Sequence, residues 1–248
     1  MPDKRRHRGP DPEDERLFAP GAWPDLRAAT GDLCWLLNRG YAVPSAVELV
    51  GNRYSLARRQ RLAVARCACS DEALLLRQRR RADPQALRDQ ELWLDGYNVV
   101  IGAEAALSGG IILRGRDGCC RDLANIYARY REVEETSAAL RLIGELTTAW
   151  AVRRCCWWLD RPVSNSGRFK KALLDAAAGA GWNWDVELVF NPDKVLAQSD
   201  QIVATSDSVI LDRSRRWINL IGLLIEKRVP QARVVDLCPL QSAENDSC

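Results

Sequence analysis

Glu91-Leu92-Trp93-Leu94-Asp95 is the stretch on which the fold turns. Three apolar residues between two carboxylates read as a short buried strand that delivers an aspartate at its carboxyl end. The same texture recurs downstream. Cys155-Cys-Trp-Trp-Leu-Asp160, Val186-Glu-Leu-Val-Phe190 and Gln201-Ile-Val-Ala-Thr205 are further strands, and Arg233-Val-Val-Asp-Leu237 is a candidate to close the sheet. Helical runs separate them. These are Arg121 to Glu132 with Leu123, Ile126, Tyr127 and Tyr130 inward, Ala138 to Trp150, Ser166 to Ala178, a short one from Pro192, and about Arg215 to Arg228 with Trp217, Leu220, Ile221 and Leu224. Strands alternating with helices predict an α/β fold with a doubly wound, mainly parallel sheet.

Upstream of the Asp83-Pro84 break the period changes to that of helices, predicting a small all-α domain over residues 23–84. Leu33, Leu36 and Leu37 share one face, Val47 and Val50 another, and Leu62, Ala63 and Cys67 a third. Pro44-Ser45 reads as a helix start, and Gly40 and Gly51 as helix ends. Arg53, Arg58, Arg59 and Arg61 gather behind Gly51, as in a helix-turn-helix whose second helix meets nucleic acid. A solvated basic face on a small bundle is the alternative reading. Residues 1–22 and 239–248, polar and without an apolar period, are expected to be disordered tails.

The totals narrow the chemistry. The chain has 248 residues, 47% of them hydrophobic, enough to bury a core. Its longest apolar run, Trp217 to Ile225, is interrupted by Asn219 and Gly222 and falls short of a membrane span. The basic N-terminus lacks the apolar stretch of a signal peptide, so a cytoplasmic location is expected. Nine cysteines are an odd count with no C-x-x-C spacing, which favours reduced thiols over disulfides or zinc. The single histidine, His7, removes Ser-His-Asp, Cys-His and H-E-x-x-H chemistry together. Carboxylates are left to do any catalysis. Charge divides unevenly, with 17 Lys/Arg against 12 Asp/Glu in residues 1–90 and 19 against 21 in residues 91–248.

Three predicted strands end at or just before an aspartate: Asp95, Asp160 and Asp207. In open parallel sheets ligands bind outside the carboxyl ends of the strands. Singly, each has a plain explanation: Asp95-Gly96 as a turn, Asp160-Arg-Pro162 as a loop entry, Asp207 as a helix cap. Together, converging carboxylates repel one another unless a cation neutralises them. Oxygen-only ligation points to Mg²⁺ or Mn²⁺ and to hydrolysis of a phosphodiester.

Leu92-Trp-Leu-Asp-Gly-Tyr-Asn98 resembles the first-strand signature of PIN-like nucleases of the NYN branch, and Ile202-Val-Ala-Thr-Ser-Asp207 resembles their late strand. The resemblance implies a PIN-like domain over residues 90–238. It also implies Asp95, Asp193 and Asp207 as metal ligands, and a helix acid after the first strand that is either Asp117 or Asp122. Asp160, Asn98, Thr205 and Ser206 complete the candidate catalytic set. The whole chain, with Arg39-Gly-Tyr41 and Leu49-Val-Gly-Asn-Arg-Tyr54, also resembles an uncharacterised prokaryotic family with a helical front domain. The expectation is a Mg²⁺- or Mn²⁺-dependent nuclease, preferentially a ribonuclease, with RNA as partner, no membrane, and a homodimer admitted. A non-catalytic nucleic-acid-binding or regulatory protein with an inactive PIN-like scaffold, or a small-molecule phosphatase using the same acids, are the alternatives. The nine tryptophans are read as packing residues, with Trp182 and Trp184 as the candidates for stacking on bases.

Overall fold

The structure is a computed structural model that describes residues 7–124 and 130–239. A short helix α1 (Asp14–Leu17) and a 3-10 turn (Pro20–Ala22) lead into α2 (Trp23–Leu37), α3 (Val43–Arg53), α4 (Arg58–Cys67) and α5 (Asp71–Arg80). Local chemistry sets several of these ends. Pro44 sits in the first turn of α3, where its missing N–H costs nothing, and the Ser70 hydroxyl caps α5 by accepting from Ala73 N–H at 3.2 Å.

Next come β1 (Glu91–Asp95), α6 (Gly96–Leu107), β2 (Ile112–Arg114), β3 (Cys120–Asp122), α7 (Thr136–Ala149), β4 (Arg154–Asp160), α8 (Ser166–Ala180) and β5 (Trp184–Val189). The chain ends with α9 (Pro192–Ala197), β6 (Ile202–Ala204), α10 (Ser208–Arg213), β7 (Arg216–Ile218), α11 (Leu220–Arg228) and β8 (Val234–Asp236). The main sheet is all parallel, in the order β5-β4-β1-β6-β7, with Asp95 opposite Trp158 and Leu94 opposite Ala204. From β1 the chain winds outward through β4 and β5, then crosses back to β6 and β7. The switch point therefore lies at the carboxyl ends of β1 and β6.

Leu92 and Leu94 of β1 are fully buried, each stabilising the fold by about 2 kcal/mol. They pack with Val100 and Ile143 of the covering helices and Trp157 of β4 into the larger core. Gly96 lets α6 start hard against β4: a Cβ there would meet the Leu159 side chain and lie 3.0 Å from the Trp158 carbonyl oxygen. A second sheet, β3-β2-β8, pairs antiparallel at β2/β3 and parallel at β2/β8. Its Leu113 and Val235 join Leu33, Val50, Ala63 and Val64 of the front helices in one core, so packing is continuous across Asp83-Pro84.

The expected disordered tail over residues 1–22 is corrected for its described part. Leu17 and Phe18 are buried, and Asp14, wholly buried, accepts from Arg59 with both carboxylate oxygens. The tail over 239–248 lies almost wholly outside the described residues. Gly51 does not end a helix. It lies inside α3, where the missing Cβ admits the Arg61 side chain, whose Nε would sit 2.5 Å from a Cβ. The helix expected from Arg121 to Glu132 is likewise corrected, since Cys120–Asp122 is a strand, and residues 125–129 fall outside the description. Trp217 belongs to β7 rather than to a helix from Arg215, and Arg233–Leu237 contributes β8 to the second sheet rather than closing the main one.

Candidate functional site

The carboxyl edge of the main sheet carries Asp160 at the end of β4, Asp95 at the end of β1 and Asp207 just past β6, with Asp193 in the first turn of α9. Thr205 links two of them. Its hydroxyl donates to Asp95 Oδ2 at 2.7 Å and accepts from the Asp207 N–H at 3.0 Å. Asn98, on the first turn of α6, holds the neighbouring loop: its Oδ1 accepts from the Ser206 N–H at 2.9 Å and the Ser206 hydroxyl at 3.0 Å. The candidates Asp95, Asn98, Thr205, Ser206 and Asp207 thus form one hydrogen-bonded hub at the switch point.

Burial raises the Asp95 carboxyl to about 7, with the charges of Asp207 and Asp193 adding to it and the Thr205 hydroxyl opposing. Asp193 is raised as well, by burial and then by Asp207 and Asp160, and burial raises Asp160. One Asp160 oxygen, Oδ1, is buried without a hydrogen-bond partner. Asp207 caps α10, its Oδ1 accepting from Val209 N–H at 2.7 Å and Ile210 N–H at 3.3 Å. The plain capping role of Asp207 is therefore real, and it leaves the second oxygen uncommitted.

None of these four acids, of which Asp95 is the buried one, forms an ion pair among the described residues, whereas the buried Asp14 and Asp117 do. Asp117 does not belong to the metal set. It is clamped by Arg121 through bonds of 2.8 and 2.6 Å and by Arg77 at 2.7 Å. Burial works against its charge, but Arg121 and Arg77 outweigh that and hold it down at about 2. Asp122 is also elsewhere. It lies at the end of β3 in the second sheet, opposite Ile112, where its Oδ1 accepts from Ala124 N–H at 2.7 Å and lies 3.9 Å from Arg66.

Sequence reading missed the residues that support the hub from below. The Arg121 guanidinium that holds Asp117 also donates to the Ser206 carbonyl at 2.9 Å. Asn219 caps α11 through Gly222 N–H at 3.1 Å, accepts from Cys120 N–H at 3.2 Å and donates to the Gly118 carbonyl at 3.0 Å. An asparagine ahead of an apolar run was a legible cap signal for Asn219. Nothing in the sequence marked Arg121, whose partners are distant in the chain.

Two of the four candidate nucleic-acid arginines are engaged internally. Arg59 holds Asp14, and Arg61 donates to the Leu56 carbonyl and Asn52 Oδ1, each at 2.9 Å. Arg53 lies 3.3 Å from Asp32, and Arg58 is exposed without an ion pair among the described residues. Trp182 stacks on Trp184 at 4.8 Å between ring centres and covers Gly144 of α7, so both tryptophans pack the fold.

Oxygen-only donors without counter-charges fit a hard divalent cation. Among the described residues no three Asp, Glu, His or Cys side chains come close enough to hold an ion between them. The expected three-ligand set of Asp95, Asp193 and Asp207 is therefore not assembled around one point. Magnesium commonly binds through one or two carboxylates plus water and substrate phosphate.

The sequence profile of a domain of unknown function (DUF5616) matches residues 84–223, more than half of the chain. The chain belongs to this family. A protein family of unknown function (DUF434) matches residues 25–80, the helical front. An uncharacterized protein of Methanocaldococcus jannaschii is 30% identical over 203 residues, covering 81% of this chain and 97% of that protein. No solved structure matches. No helix among the described residues is long and apolar enough to cross a membrane.

Proposed function

We propose that the α/β part of this chain is PIN-like and acts as a divalent-metal-dependent nuclease, with RNA as the preferred substrate. The observation that carries the reading is the row of four carboxylates at the carboxyl edge of the sheet, none with an ion-pair partner among the described residues, in a protein whose buried Asp14 and Asp117 are neutralised by arginine. Asp95 and Asp207 would hold Mg²⁺ or Mn²⁺, with Asp193 and Asp160 beside them. The cation supplies charge neutralisation and an activated water when bound. The chain's own residues do the positioning. Thr205 fixes Asp95 and Asp207 relative to each other, and Asn98 holds the Ser206 loop against α6.

The test is cleavage of labelled single-stranded RNA with Mn²⁺, Mg²⁺ or EDTA. Cleavage is expected with either metal, to be lost with EDTA, and to fall at least a hundredfold in Asp95→Asn and in Asp207→Asn while both variants stay folded by circular dichroism. Cleavage that persists in EDTA or in both variants would refute the assignment. So would an absence of thermal stabilisation by Mn²⁺ relative to an ionic-strength control.

A further inference from the structure

Resting on the reading of the acid row as a phosphodiesterase site, the surroundings of that row define which form of nucleic acid it accepts. Phe190 follows the last residue of β5 and is 73% exposed, an unusual place for a large apolar ring. The Arg161 guanidinium lies 5.1 Å from its ring centre, and the Arg161 N–H donates to the Val189 carbonyl at 2.7 Å, which fixes the two strand ends together. Arg161 directly follows Asp160. An exposed ring beside a cation, one residue from the acids, has the composition of a base-stacking platform.

At the start of α8, which follows Asp160 in the chain, lies a cavity of about 210 Å³ lined by Tyr130, Arg131, Glu132, Asn165, Arg168 and Phe169. Tyr97, two residues past Asp95, stacks on Phe169 at 5.6 Å and packs against Tyr130 at 5.1 Å, so two residues that line the cavity rest on the turn that follows Asp95. The Tyr97 hydroxyl and Asp160 Oδ1 are both buried without a hydrogen-bond partner. Neither Arg161 nor Arg168 forms an ion pair among the described residues. Arg161, next to Asp160, and Arg168, in the cavity lining, are cations without such a pair and suit a phosphate chain whose scissile group needs the acids and whose neighbours need positive charge.

We propose that Phe190, Arg161 and Arg168 hold a single-stranded nucleic acid across the acid row, a base stacking on Phe190 and the flanking phosphates meeting the two arginines. A duplex keeps its bases stacked on one another and offers Phe190 nothing. The step is binding alone, with no bond made or broken.

Binding of a fluorescein-labelled single strand of roughly 12 nucleotides, and of its duplex, is measured by anisotropy on the full chain in EDTA, where cleavage does not interfere. Phe190→Ala is expected to weaken single-strand binding about tenfold and to leave duplex binding unchanged. Arg161→Ala combined with Arg168→Ala should weaken binding and flatten its log–log salt dependence by about 1.4. Because Phe190 is exposed, its replacement leaves the fold intact. The proposal is overturned if wild type does not bind the single strand, if Phe190→Ala binds it as well as wild type, or if duplex affinity falls equally. The two readings separate cleanly. Phe190-dependent binding without Mn²⁺-dependent cleavage leaves the platform standing and removes the nuclease. Mn²⁺-dependent cleavage with an unchanged KM in Phe190→Ala does the reverse.

Discussion

At the scale of the residue, Asp95 and Asp117 are both buried aspartates with opposite fates. Asp95 is pushed up to about 7 by its burial, with neighbouring carboxylates adding to it; Asp117, also buried, is held at about 2 by two arginines. The stability consequences have opposite signs. With its folded pKa above the unfolded value, Asp95 binds a proton more tightly in the folded state, so its penalty is fully present above about pH 7 and relieved as pH falls toward 4. Asp95→Asn is therefore expected to stabilise the metal-free protein on the order of 3 kcal/mol at pH 8 and hardly at all near pH 4. Urea denaturation at the two pH values checks this; a gain independent of pH would contradict it. Asp117 contributes in the other direction. Its stabilisation is present above about pH 4 and lost as pH falls through about 2. Asp117→Asn leaves Arg77 and Arg121 buried with reduced compensation, and a loss of about 3–5 kcal/mol is expected at pH 7. The loop that Arg121 holds through the Ser206 carbonyl should then exchange its backbone amide protons faster in hydrogen-exchange measurements.

At the scale of the element, the N-terminal segment behaves as a strap. Arg8 donates to the wholly buried Glu104 of α6 at 2.9 Å, where Tyr130 and Thr136 hydroxyls donate at 2.7 and 2.5 Å. Further along, Asp14 of α1 meets Arg59 of α4. This gives the front helices a sharp test. Arg59→Ala should cost about 3–5 kcal/mol in chemical denaturation, because Asp14 is left buried and unpaired, whereas Arg58→Ala should stay within about 0.5 kcal/mol. Equal, small effects would mean that the basic stretch is a solvated face throughout and that the strap is loose. The residue pattern displayed the arginines but not their partners, since Asp14 is 45 positions from Arg59 and sits in a stretch whose composition reads as disorder. The same blindness moved Trp217 from strand to helix. Its indole N–H donates to the Arg77 carbonyl at 2.8 Å and its carbonyl accepts from Ala82 N–H at 2.7 Å, contacts that pin a three-residue strand too short for periodicity to reveal.

At the scale of the whole molecule, helical front and α/β back share a core. Leu113 and Val235 of the second sheet pack with the front helices, and Arg77 of α5 reaches both Asp117 and Asp212 at 2.7 Å. The hub at the acid edge is thereby tied, through Asp117 and Arg121, to the helical region. Much of this was written in the sequence itself. Apolar runs ending in aspartate at Asp95 and Asp160 announced strands and the edge on which the acids fall, because burial and strand length are local properties. Thr205-Ser206-Asp207 announced a strand end for the same reason. What only tertiary structure decided is which acids stay without a counter-charge. Asp117 and Asp193 are both candidate acids in the sequence, yet arginines from two different elements reach Asp117 and none among the described residues reaches Asp193. Pairing of charges depends on distances between segments far apart in the chain, and these exist only once the strands have been ordered and the helices laid across them.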